Sequence, residues 1–103
     1  MIKLLQTHKQ DIGKLCQTHH VKSLSVFGSA ARESDYHENS DLDFMVEFQD
    51  LDPITYKNAY FGLLFGLEDL TQKRVDLITK DTITNPYVHK TIEKHKETLY
   101  ALT

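Results

Sequence analysis

Short apolar runs alternate with helical stripes along this chain, and that alternation limits its fold more than any other feature. Leu5, His8, Ile12, Leu15 and His19 recur at spacings of three and four, with Leu4 and Cys16 beside them. That stripe predicts an amphipathic helix over about residues 2 to 19. Val21 to Phe27 then reads as a short buried strand halted at Gly28, with a turn into a short helix after it. Residues 33 to 40 hold turn formers and no apolar period, so they read as a loop, and Leu42 to Phe48 reads as a second strand.

Asp52-Pro53 carries the signature of a helix start, with Asp as the cap and Pro in the first turn, where its missing N–H goes unused. The helix is expected to run to about Leu70, with Tyr56, Tyr60, Leu63, Leu64, Leu67 and Leu70 on its apolar face. Phe61 and Phe65 sit one residue off that face and are expected to pack in the core, the alternative being an apolar surface presented to a partner, while the Gly62 and Gly66 spacing would admit another helix closely. Arg74 to Ile78 is a third strand. Asn85-Pro86 opens a last helix, with Val88, Ile92, His95, Leu99 and Leu102 as its stripe. The order is α-β-α-β-α-β-α, expected as a single domain over residues 1–103.

Composition narrows the setting. No apolar run approaches the roughly 20 residues that span a bilayer, and the N-terminus turns polar too soon for a signal peptide, so a cytoplasmic protein off the membrane is expected. Cys16 is the sole cysteine and falls on the helical stripe, as a reduced core thiol would. The formal charge of −3, with Lys and Arg scattered, gives no basic patch for nucleic acid, so no direct nucleic-acid binding is expected. The six histidines lack the regular pairing of a zinc site.

The chemistry lies in Ser40-Asp41-Leu42-Asp43. Side chains alternate along a strand, so Asp41 and Asp43 face one side, roughly 6.5–7 Å apart at their Cα atoms, close enough to share a metal. Asp76 interrupts the apolar run Val75-Asp76-Leu77-Ile78, where an unpaired carboxylate is costly unless a cation offsets it. Upstream, Phe27-Gly28-Ser29 ends a strand where a helix begins, a place that offers N–H groups and close approach to a phosphate. A phosphate cradle beside carboxylates describes metal-assisted phosphoryl or nucleotidyl transfer, and oxygen ligands favour Mg²⁺ or Mn²⁺ over zinc.

Taken together, Gly28-Ser29-Ala30-Ala31-Arg32, Ser40-Asp41-Leu42-Asp43 and Val75-Asp76-Leu77 resemble the motif set of the DNA polymerase β-like nucleotidyltransferases, in particular the minimal nucleotidyltransferase (MNT) group. The resemblance implies an α/β (α+β) fold with a small mixed sheet flanked by helices. It implies Asp41, Asp43 and Asp76 as metal ligands and catalytic carboxylates, with Asp76 also helping to deprotonate the acceptor hydroxyl. Gly28 and Ser29 would contact the phosphates of ATP or another NTP, with Arg32 in support, and Mg²⁺, as a pair of ions, would be the cofactor. MNT proteins are typically paired with a HEPN-domain ribonuclease toxin, so a hetero-oligomer is implied in which this chain transfers AMP to a toxin tyrosine. A degenerate antitoxin that acts by binding alone, or a small-molecule nucleotidyltransferase, are the alternatives. The chain departs from the family pattern at Glu33, where Gly is usual, and Asp35 and Glu38 add negative charge to the loop after it.

Overall fold

A computed structural model describes residues 1–32, 36, 37, 39–82 and 85–102. The acidic loop positions Glu33, Asp35 and Glu38 lie outside the described residues. The N-terminal stripe forms two helices rather than one, α1 (Lys3–Thr7) and α2 (Lys9–Thr18), meeting at His8 with φ −97° and ψ 8°. The Ile2 N–H donates to the Ala30 carbonyl at 3.0 Å, which ties the first turn to the segment after the first strand. The break at His8 lets Leu5 as well as Ile12 and Cys16 reach full burial.

Four strands follow from the apolar runs: β1 (Val21–Phe27), β2 (Leu42–Phe48), β3 (Val75–Thr79) and β4 (Glu97–Ala101). They form one sheet in the order β3-β2-β1-β4, with β2 and β3 parallel and the other two pairs antiparallel. On β2, Leu42, Phe44 and Val46 are fully buried, and Asp43 and Glu47 alternate with them. Period-two alternation thus gives one side of the strand to the core and returns the carboxylates to the other.

A 19-residue helix, α4 (Pro53–Thr71), makes the crossover between the parallel strands that such pairing requires. The Asp52 carboxylate accepts from the Thr55 N–H at 3.1 Å, and Gln72 in the left-handed region (φ 56°) ends the helix. Leu63 and Leu67 are fully buried. Phe61 and Phe65 do not enter the core: they are 43% and 61% exposed and stack on each other at 6.0 Å. Core spacing on α4 is taken by Ala59, Leu63 and Leu67, which places positions 61 and 65 on the opposite side of the helix. The close helix approach at the two glycines is made within the chain: a Cβ at Gly62 would meet the His19 ring and one at Gly66 the Leu15 side chain.

The C-terminal helix, α5 (Pro86–His95), is capped by the Asn85 side-chain Oδ1, which accepts from the Tyr87 N–H at 2.9 Å. It ends at His95 and does not continue through Leu99 and Leu102 as the stripe suggested. The chain instead turns extended at Lys96 and forms β4, so the order closes on a strand. A step of four residues is also two strand periods, so Leu99 fits either pattern. The unpaired backbone of β1 decides for the strand. Between α3 (Ser29–Arg32), which follows β1, and β2 runs the acidic loop.

Candidate active site

β1 delivers Gly28 to one end of the sheet, and antiparallel pairing sets Phe27 opposite Asp43. Gly28 adopts φ +70°, open to glycine at little cost. An added Cβ there would collide with the Asp43 carboxylate, reaching its Cγ at 3.3 Å. The glycine therefore both makes the turn and leaves room for the acid. The Gly28 carbonyl accepts from the N–H groups of Ala31 and Arg32, each at 3.2 Å, which winds Ser29 directly into α3.

β2 and β3 run parallel with Asp43 in register with Asp76, one strand spacing of about 4.8 Å away. Asp41 precedes β2 by one residue, and it and Asp76 are exposed, whereas Asp43 is half-buried. Burial pushes the Asp43 carboxyl above the usual carboxylate range, Asp76 and then Asp41 push the same way, and the Arg32 guanidinium opposes them. All six residues singled out from the motifs thus gather at one end of the sheet: Gly28, Ser29 and Arg32 at the β1–α3 turn, Asp41 just before β2, Asp43 on β2, and Asp76 on β3.

Among the described residues, no group of three or more His, Cys, Asp or Glu side chains is drawn together so as to hold a metal ion by itself. The donor set nevertheless fits Mg²⁺, which is typically held through one or two carboxylates plus substrate phosphates and water, rather than by an all-protein cage.

Other contributors escape the motifs. Tyr60 on α4 donates its hydroxyl to the Leu77 carbonyl at 2.6 Å and so braces β3 next to Asp76. Burial, and then Asp76, raise the Tyr60 phenol above its ordinary pKa. A hollow of about 390 Å³ opens from Gly28 and Arg32 toward α5, with Phe27, Val88, Thr91 and His95 among its walls. In the sequence Val88 and His95 read as one stripe of a longer helix. Their part in a hollow becomes visible only when α5 is placed beside Gly28.

The sequence pattern of the nucleotidyltransferase domain family matches residues 8–99. The chain belongs to that family. This nucleotidyltransferase is 41% identical over 92 residues to one Methanocaldococcus jannaschii protein named as a protein adenylyltransferase, covering 89% of this chain and 87% of the other. A second such protein of the same organism is 39% identical with the same coverage. Among solved structures, a minimal nucleotidyltransferase superposes with a TM-score of 0.76 at 26% identity, covering 93% of this chain and 95% of that one. A Shewanella oneidensis complex, described as a tri-AMPylated HEPN toxin with an MNT antitoxin, matches with a TM-score of 0.64 at 21% identity, over 94% of this chain and 72% of that one. The four-stranded mixed sheet flanked by helices is the minimal nucleotidyltransferase fold. Among the described residues no helix is long and apolar enough to cross a membrane.

Proposed function

We propose that this nucleotidyltransferase is a protein adenylyltransferase, moving AMP from ATP to a tyrosine hydroxyl of a HEPN-domain partner and so acting as its antitoxin in the cytoplasm. The observation that carries the reading is the register pair Asp43–Asp76 beside Gly28, with Asp41 two residues upstream of Asp43. The named relatives and the toxin–antitoxin fold neighbours support the choice of a protein as acceptor.

In this reading Gly28 and Ser29 seat the β- and γ-phosphates, Arg32 offsets their charge, and Asp41, Asp43 and Asp76 hold Mg²⁺. The cation, when bound, neutralises phosphate charge and polarises the α-phosphate. Asp76 accepts the proton of the acceptor hydroxyl; the oxygen bonds to the α-phosphorus, the bond from that phosphorus to the bridging oxygen breaks, and pyrophosphate leaves.

The test is intact-protein mass spectrometry of a co-expressed HEPN-type partner after incubation with this chain, ATP and Mg²⁺, beside an Asp43→Asn control and an EDTA control. A gain of whole AMP units that vanishes in both controls is expected. A stable complex without any mass gain overturns transfer and leaves an antitoxin that acts by binding.

A further inference from the structure

The sheet end that carries the carboxylates continues past them. Beyond Asp41 lies a polar cleft of about 320 Å³, lined by Asn39, Ser40, Asp41, Gln72, Lys73 and Arg74. It sits where α4 hands over to β3, and the Leu42 N–H donating to the Arg74 carbonyl at 3.0 Å fixes that junction against β2. Arg74 precedes Asp76 by two residues and β3 by one, and it lines the cleft together with Asp41. Arg74 is exposed, and no hydrogen bond or ion pair engages its guanidinium among the described residues. Lys73, beside it, lies over the Tyr36 ring at 5.4 Å.

Phosphoryl-group chemistry requires the attacking and leaving oxygens to lie roughly in line across the phosphorus. The strand order turns that requirement into a direction. Gly28 follows β1, Asp43 lies on β2 between, and Asp76 lies on β3, the edge strand, with Arg74 one residue before its start. With pyrophosphate departing on the Gly28 side, the acceptor approaches over β3, past Arg74.

We propose that Arg74, in the cleft beside Asp41, is a specificity-determining residue that binds an acidic side chain flanking the acceptor hydroxyl of the polypeptide substrate. The proposal rests on the adenylyltransferase reading of the neighbouring site. A guanidinium pairs with a carboxylate through two parallel N–H···O bonds, which fixes orientation as well as charge. It also separates the incoming acidic segment from Asp41 and Asp76, which would otherwise repel it.

The experiment uses the full chain with ATP, Mg²⁺ and tyrosine peptides flanked by Glu, Gln or Lys, measured by mass spectrometry, with mant-ATP fluorescence as a separate reading of nucleotide binding. The wild-type chain is expected to favour the Glu-flanked peptide over the Gln-flanked one by roughly tenfold in kcat/KM. Arg74→Glu should reverse that order toward the Lys-flanked peptide and leave mant-ATP affinity unchanged, while Arg74→Lys should keep the order with a smaller margin. Equal use of the three peptides, an order untouched by Arg74→Glu, or no transfer to any peptide by a chain that binds mant-ATP overturns the acceptor role of Arg74. Absence of mant-ATP binding by the wild-type chain overturns the nucleotide reading beneath it.

Discussion

Asp43 and Asp76 stand side by side in the parallel register of β2 and β3, on the side of the strands turned away from Leu42, Phe44 and Leu77. Two like charges at one strand spacing, one of them half-buried, put local electrostatics in opposition to fold stability. Because the folded pKa of Asp43 exceeds its unfolded value, the folded chain binds that proton more tightly, and stability falls as pH rises through the raised pKa. Asp43→Asn is therefore expected to lower AMP transfer by on the order of 10³-fold and to raise the neutral-pH melting temperature by a few degrees. The gain should shrink as pH falls toward the ordinary carboxylate range. Paired calorimetric melts at neutral and acidic pH check the sign; a neutral-pH Tm below that of the wild type would contradict it.

Gly28→Ala should damage both stability and activity. A left-handed backbone costs an L-residue about 1–2 kcal/mol, which for a domain of this size lowers Tm by roughly 5–15 °C. The new methyl would also displace the Asp43 carboxylate, so transfer should fall at least about tenfold beyond any loss of folded protein. Comparing melting curves with activity per folded molecule separates the two effects.

Tyr60→Phe removes the hydroxyl that donates to the Leu77 carbonyl. The loss should be about 1 kcal/mol, or roughly 4–8 °C in Tm. Urea titration of the two proteins, with an unchanged m-value, is the check. An unaltered midpoint would mean that water replaces the phenol at the edge of β3.

Cys16 is fully buried, and burial pushes its thiol up to about 12. A thiol held neutral and covered should resist a disulfide reagent in the native protein at mildly alkaline pH and react stoichiometrically once guanidinium unfolds the chain. Rapid labelling of the native protein would show that α2 opens readily from the sheet.

Much of this was legible because the relevant physics is local. The run Asp41-Leu42-Asp43, leading into β2, needs only period-two alternation to separate its carboxylates from its core side chains, and Asp52-Pro53 and Asn85-Pro86 announce helix starts that the structure places at Pro53 and Pro86. What the pattern could not show depends on partners distant in the chain. His8 fits a continuous stripe, and the tie from the Ile2 N–H to the Ala30 carbonyl, which anchors the short first helix, comes from a residue distant in the chain. Leu99 suits helix or strand equally until the free edge of β1 is known. Phe61 and Phe65 lie near an apolar face whose centre is set by contacts with the sheet and α2, and a shift of one residue moved them outward. Of the site, the motif residues stood out by type and spacing, whereas Tyr60 and Arg74 gain meaning only beside β3.

The crossover through α4 has a consequence for how the protein comes into being. Asp43 and Asp76 become neighbours only after a 19-residue helix has docked and brought β3 alongside β2, a loop closure whose entropic cost precedes any reward from pairing. A chain arrested before that step carries both carboxylates without the register that sets them side by side. The proposed site is therefore complete only once topology has closed the sheet.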